Sequence, residues 1–180
     1  MKKLILLTAF IFSLGLAACG DTTEENLGGD VENKESNTEN TKNGTGEETE
    51  EASTNDNKEI NEVIVDNENL KATLVKIVKK QDEIWGNTVE VVFDVTNKRQ
   101  DRIEVQANSV SVDDRMVDES LLSMSQEVAP GKSATATLTI SESDEGKEFP
   151  AFEKNFEMTL HVFSWDDYDY TEDFPVKVEF

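Results

Sequence analysis

The sequence predicts an all-β fold, an antiparallel sandwich behind a long acidic tether, on three observations. Apolar residues recur with a period of two: Val89, Val91, Phe93 and Val95 alternate with Glu90, Asp94 and Thr96. Such alternation marks a half-buried strand with one face on a core. Turn residues punctuate these runs at short spacing, among them Gly86-Asn87, residues 97–102 (NKRQDR) and Ala129-Pro130-Gly131-Lys132. Residues 67–180 together form a stretch of a normal size for a single hydrophobic core.

The chain opens on an export pattern. Lys2 and Lys3 form a positive n-region, and residues 4–16 (LILLTAFIFSLGL) form an apolar core. That core fits a signal h-region and falls short of the ~20 residues needed to span a bilayer. Small residues then lead to Cys19, the only cysteine. The string Leu16-Ala17-Ala18-Cys19 resembles the lipobox of bacterial lipoproteins. This resemblance implies cleavage by signal peptidase II before Cys19, whose sulfur carries diacylglycerol. Small side chains at 17 and 18 admit the backbone to a tight protease groove, and only a thiol forms the thioether. Two acyl chains anchor stably, because each buried methylene adds ~0.8 kcal/mol and one chain alone is marginal. The expected address is the cell membrane, lipid-anchored and facing outward, with residues 1–18 as the signal peptide. The competing readings are an ordinary secretory signal with an incidental cysteine and an uncut anchor helix.

Residues 19–66 are expected to be a disordered linker. Asn, Glu, Thr, Ser, Gly and Asp dominate, and only Lys34, Lys42 and Lys58 offset the acids. Low hydrophobicity with like charge cannot offset the entropy of ordering. A flexible chain of this length reaches on the order of 35–40 Å, enough to hold a domain off a membrane. Near its end Ile60, Val63, Ile64 and Val65 raise the apolar content and suggest a first edge strand or packing where the domain begins.

Within 67–180, residues 70–78 read as a strand and 88–97 as the next. Residues 103–112 change phase: Ile103, Val105 and Ala107 give way to Val110 and Val112. A β-bulge near Asn108-Ser109 would return both sets to one face. Short strands are expected at Met116-Val117 and 121–124. Pro130 and Gly131 take the central positions of a type II turn. Then Ala134, Ala136, Leu138 and Ile140 alternate with hydroxyl residues, Phe156, Met158, Leu160 and Val162 with polar ones, and Phe174, Val176, Val178 and Phe180 follow suit. Between the first two of these runs, residues 141–152 (SESDEGKEFPAF) break the pattern, and a short helical turn is expected there. About seven short strands with regular turns give an immunoglobulin-like sandwich. The Cys…Trp…Cys signature of antibody-type domains is missing.

A second resemblance rests on three stretches. They are Val91-Val92-Phe93-Asp94-Val95-Thr96-Asn97, then residues 109–112 with the Asp113-Asp114 turn, and Val128-Ala129-Pro130-Gly131-Lys132 before an alternating strand. Over residues 70–178 the chain resembles immunoglobulin-like domains of unknown function found in lipoproteins of Gram-positive-type bacteria. It departs from them at Arg115, where a glycine is expected after the acidic turn. The resemblance implies a fold and a location, and it transfers no catalytic residue.

Candidate chemistry is sparse. His161 is the only histidine, and a general base needs a nucleophile within hydrogen-bond reach. Gly131-Lys132-Ser133 imitates the end of a phosphate loop, yet Gln126 stands where that loop needs its first glycine. Asp166, Asp167, Asp169, Glu172 and Asp173 form the densest acidic cluster, a candidate oxygen-ligand site for Ca²⁺, with Asp113, Asp114 and Asp118 as a second. The bland reading is a charged hairpin that keeps a sheet edge soluble. Trp165, Tyr168 and Tyr170 in the same region, and Trp85 at a hairpin tip, are candidate partner contacts, since Tyr and Trp are favoured anchors. The net charge is −22, and it repels nucleic acid. The expected function is a non-enzymatic surface domain, without a cofactor, that binds an envelope or extracellular protein. A calcium-binding domain using residues 166–173 is the alternative.

Overall fold

Alternation along the long strands sends one apolar set inward from each of two facing sheets. The computed structural model describes residues 22–32, 59–143 and 146–180. The first sheet contains β1 (Thr22–Asn26), β3 (Glu62–Asp66), β4 (Leu70–Asp82), β5 (Gly86–Asn97), β8 (Leu122–Ser123) and β10 (Ser133–Ser141). Its order is β1-β4-β5-β10-β8, and β3 also pairs with β4. The second contains β2 (Asp30–Val31), β6 (Ile103–Val112), β7 (Arg115–Met116), β9 (Gln126–Val128), β11 (Asn155–Phe163) and β12 (Thr171–Glu179). Its order is β2-β12-β11-β6-β7, with β9 also on β6. All pairings are antiparallel. Among the described residues, twelve strand segments therefore stand where about seven were expected, because short segments cover the sheet edges that the long strands leave open.

The core lies between the sheets. Leu70, Ala72, Leu74, Val89, Val91, Phe93, Val95, Leu138 and Ile140 meet Ile103, Val105, Val110, Val112, Phe156, Leu160, Val162 and Val178, all buried. The expected bulge is present on β6. Glu157 faces Ser111 and Thr159 faces Asn108, so Ser109 and Val110 oppose Met158 alone. Ser109 takes a φ of +52°, and Val110 returns to the core. Positive φ at Asp113 (52°) and Asp114 (65°) makes the β6–β7 hairpin tight without glycine. Asn155 compensates: its Oδ1 accepts from Asp114 N and its Nδ2 donates to Asp114 Oδ1. At the Pro130 turn Gly131 has φ +64°, and Lys132 N donates to Ala129 O at 3.1 Å, as a type II turn requires.

Two expectations need correction. No helical turn forms in the described part of 141–152. Phe152 there is buried at a φ of +63°, and Phe149 packs on the core, so apolar burial holds the segment in an irregular path. Among the described residues, the one short helical element is a 3₁₀ turn, Glu119–Leu121, capped by Asp118.

The linker expectation fails for residues 22–32, while at 59–66 the edge strand suggested by Ile60, Val63, Ile64 and Val65 forms as Glu62–Asp66. Thr22–Asn26 pairs with the far half of β4, Glu24 opposite Lys80 and Glu25 opposite Lys79, while Glu62–Asp66 pairs with the near half. Opposite charges facing across strands stabilise such a ladder. Leu27 packs on the core, its N–H donating to Ile77 O, and the chain then crosses to the second sheet. Gly29 makes the crossing at φ +129°, where a Cβ would lie 2.3 Å from Val178 Cγ1. Val31 then pairs with Val178, and Lys177 holds Glu32 at 3.0 Å. The string Leu16-Ala17-Ala18-Cys19 and residues 33–58 lie outside the described residues.

Candidate functional site

Asn97, at the end of β5, organises one pole of the sandwich. It is fully buried; its Nδ2 donates to the carbonyls of Asp101 (2.8 Å) and Val128 (2.9 Å), and its Oδ1 accepts from Arg99 N (2.9 Å). The 98–102 loop is folded so that its two arginines reach the β11–β12 connection, residues 164–170. Arg99 grips Asp101 through Nε (2.9 Å) and Nη2 (3.2 Å) and reaches Asp167 at 2.9 Å. Its Cζ lies 3.8 Å from the centre of the Tyr170 ring. Arg102 clasps Asp166 through Nε and Nη2, both at 3.1 Å. Buried Ser164 accepts from Asp166 N and Asp167 N through Oγ, closing the local turn. Bidentate arginine–carboxylate pairs fix orientation as well as adding energy.

These contacts separate the acids expected as metal ligands. Asp166 is held by Arg102, Asp167 by Arg99, Glu172 by Asn67 and Asn69, and Asp173 faces His161 Nδ1 at 2.6 Å. Asp167 Oδ1 also accepts from Asp169 N. The Arg102 hydrogen bond holds the Asp166 carboxyl below the usual carboxylate range. The second cluster is divided likewise: Asp113 accepts from Glu153 N and Lys154 N, while Asp118 pairs with Lys147 at 2.8 Å. Among the described residues, no three His, Cys, Asp or Glu converge as a metal site would need.

The candidate aromatics part company. Tyr168 is 83% exposed and Trp165 59%, both carried by the arginine-pinned loop. Tyr170 is only 8% exposed, so its expected contact role is corrected. Its ring is covered by Arg99, and burial pushes its phenol up. Trp165 stands edge-on to Phe163 (5.0 Å between centres), which in turn lies 5.3 Å from His161. The three form an aromatic row along β11 and past its end. Trp85 sits at the opposite pole, 82% exposed beside Ile84, at the tip of the β4–β5 hairpin. Sequence reasoning missed Arg99 and Arg102, because NKRQDR reads as a turn and its alternating charges carry no sign of their distant partners.

A cleft of about 700 Å³ opens beside the β6 bulge, lined by Glu32 and Ile64 together with Met158, Phe174 and Lys177. The segments preceding β4 therefore help to shape the surface of the second sheet. Comparison with protein-family models, with curated proteins and with solved structures finds no match for this chain.

Proposed function

We propose that the chain is a lipid-anchored protein of the cell surface whose immunoglobulin-like, non-enzymatic domain binds a protein of the envelope or the extracellular space. The address rests on Leu16-Ala17-Ala18-Cys19 behind an export leader, which fits a bacterial lipoprotein of the Gram-positive type. The order β4-β5-β10-β8 facing β12-β11-β6-β7 supports the immunoglobulin-like reading. That order matches the ABED and GFC pattern of such a sandwich with β7 added beside β6, and the short β1, β2, β3 and β9 stand outside it.

The observation that carries the binding role is the 164–170 loop. Arg99 and Arg102 hold it in one shape while Trp165 and Tyr168 project into solvent. Rigid aromatic anchors lose little entropy on association and so favour it. The calcium alternative lacks comparable support, since Arg102, Arg99, the Asn67–Asn69 pair and His161 engage four of the five carboxylates it would use, Asp166, Asp167, Glu172 and Asp173. Neither nucleic acid nor a cofactor enters the reading.

The test uses whole cells expressing the chain with a photo-crosslinking residue in place of Tyr168 or, as a control, Lys132. A discrete adduct at 168 that disappears with Trp165→Ala is the expected result. Equal labelling at both positions would remove the loop from the binding role. Labelled palmitate incorporated into the wild-type chain and lost in Cys19→Ser checks the anchor separately.

A further inference from the structure

The anchor reading deepens once the position of β1 is considered. Thr22 lies opposite Asp82, at the base of the β4–β5 hairpin tip, and its Oγ1 donates to Asp82 Oδ2 at 3.1 Å. Three peptide units separate Thr22 from Cys19, so the cysteine lies no farther from Thr22 than about 11 Å by chain geometry alone. Two and three residues past Asp82, the hairpin presents Ile84 and Trp85, 74% and 82% exposed. We propose that this tip is a second, non-covalent membrane contact, with Ile84 and Trp85 seated in the lipid interface beside the acylated Cys19. The inference rests on acylation of that cysteine.

The chemistry of the tip suits a bilayer surface. Trp is enriched at the membrane–water boundary, where its ring meets headgroups and its N–H stays satisfied. Backbone donors left open near hydrocarbon are costly, and the tip closes its own: Asp82 Oδ1 accepts from Ile84 N (2.8 Å) and Trp85 N (2.9 Å). On the far side of Gly86, Asn87 N donates to Glu142 Oε2 at 2.8 Å. Gly86 turns the chain at φ +79°. Glu83, within the tip, opposes deep insertion and restricts the contact to headgroup depth. An apolar pair this small would not bind a membrane unaided. Covalent attachment a few residues away changes that, raising its effective concentration at the surface to roughly millimolar or more.

A defined orientation follows. β4 runs from Leu70, opposite Asn97, to Asp82 at the tip, and the pinned 164–170 loop adjoins the Asn97 end. Thirteen strand residues separate these poles by about 40 Å. With the tip on the membrane, Trp165 and Tyr168 face outward.

The protein has two tryptophans, so Trp165→Phe and Trp85→Phe each leave one reporter. The full-length lipoprotein, purified from membranes in detergent and checked for acylation by mass, is reconstituted into phosphatidylcholine–phosphatidylglycerol vesicles containing brominated lipid. Trp85 in the Trp165→Phe chain should lose at least half its emission and shift to the blue, while Trp165 in the Trp85→Phe chain should change little. An acylated, vesicle-bound chain whose Trp85 stays as open to aqueous iodide as Trp165 overturns the membrane contact and leaves the anchor standing. A Cys19 without lipid by mass overturns the anchor, and the contact with it.

Discussion

At the scale of single residues, two positions decide more than their size suggests. Asn97 hydrogen-bonds the part-buried carbonyl of Asp101 and the buried one of Val128 from one amide and thereby sets the loop that carries both arginines. Asn97→Ala leaves those carbonyls without a donor, and the expected loss is about 2–4 kcal/mol, read from the urea midpoint at constant slope. Gly29 is the other. Its φ of +129° and the 2.3 Å approach to Val178 leave no room for a methyl group, whereas Gly131, at φ +64°, has open space around it. Gly29→Ala should release the N-terminal segment, so that limited proteolysis cuts within 22–32 before the sandwich is touched. Gly131→Ala should cost only the local strain of about 1–2 kcal/mol and leave that cleavage unchanged.

At the scale of elements, the arginine-pinned loop and the capped 3₁₀ turn make separate predictions. Arg99 joins Asp101, Asp167 and the Tyr170 ring through one planar group, which a lysine ammonium cannot copy. Arg99→Lys should speed amide exchange across 164–170 several-fold while Asn97-dependent core amides keep their protection. Asp118 is an exposed N-cap whose carboxyl is drawn down to about 2 by hydrogen bonds from Lys147 and Ser120. Folding favours its ionised form. The stabilisation is therefore complete above the ordinary value of 3.8 and fades as pH falls toward about 2. Carboxyl NMR should find that low midpoint, and Lys147→Met should raise it. These elements also show where a sequence can be read. Strands with strict alternation, such as 88–97 and 133–140, carry their register in the order of their side chains, and so does the phase slip that demands the Ser109 bulge. Short edge segments do not. β9 has three residues and β8 two, and they exist only because β6 and β10 offer open edges. The burial of Tyr170 is illegible for the same reason: its ring is covered by Arg99, a residue far away in the sequence.

On the scale of the whole molecule, the N-terminal segment belongs to the sandwich. Composition hid this, since Thr22–Asn26 and its neighbours are polar enough to pass for a spacer. The relevant signs were sparse: Leu27 and Val31 flanking a Gly-Gly pair, and Glu24-Glu25 able to face Lys79-Lys80. β1 and β3 divide one side of β4 between them, so removing β1 exposes the Val78–Asp82 edge and frees the hairpin that carries Trp85. A chain starting at Thr22 should therefore melt higher than one starting at Glu59. The expected gap is about 5 °C or more, equivalent to roughly 1–2 kcal/mol for a domain of this size. Residues 33–58 offer the opposite case, because Glu32 and Ile60 are tied to the sandwich on either side of them. Replacing those twenty-six residues with ten of Gly and Ser should not lower the melting temperature. A shorter closed loop lowers the entropy of the unfolded chain, a gain of about 0.8 kcal/mol in the folded state's favour. Equal melting of the Thr22 and Glu59 chains, together with a loss on shortening 33–58, would reverse the assignment. The acidic middle segment would then be what supports the domain, and β1 would be a bystander on its edge.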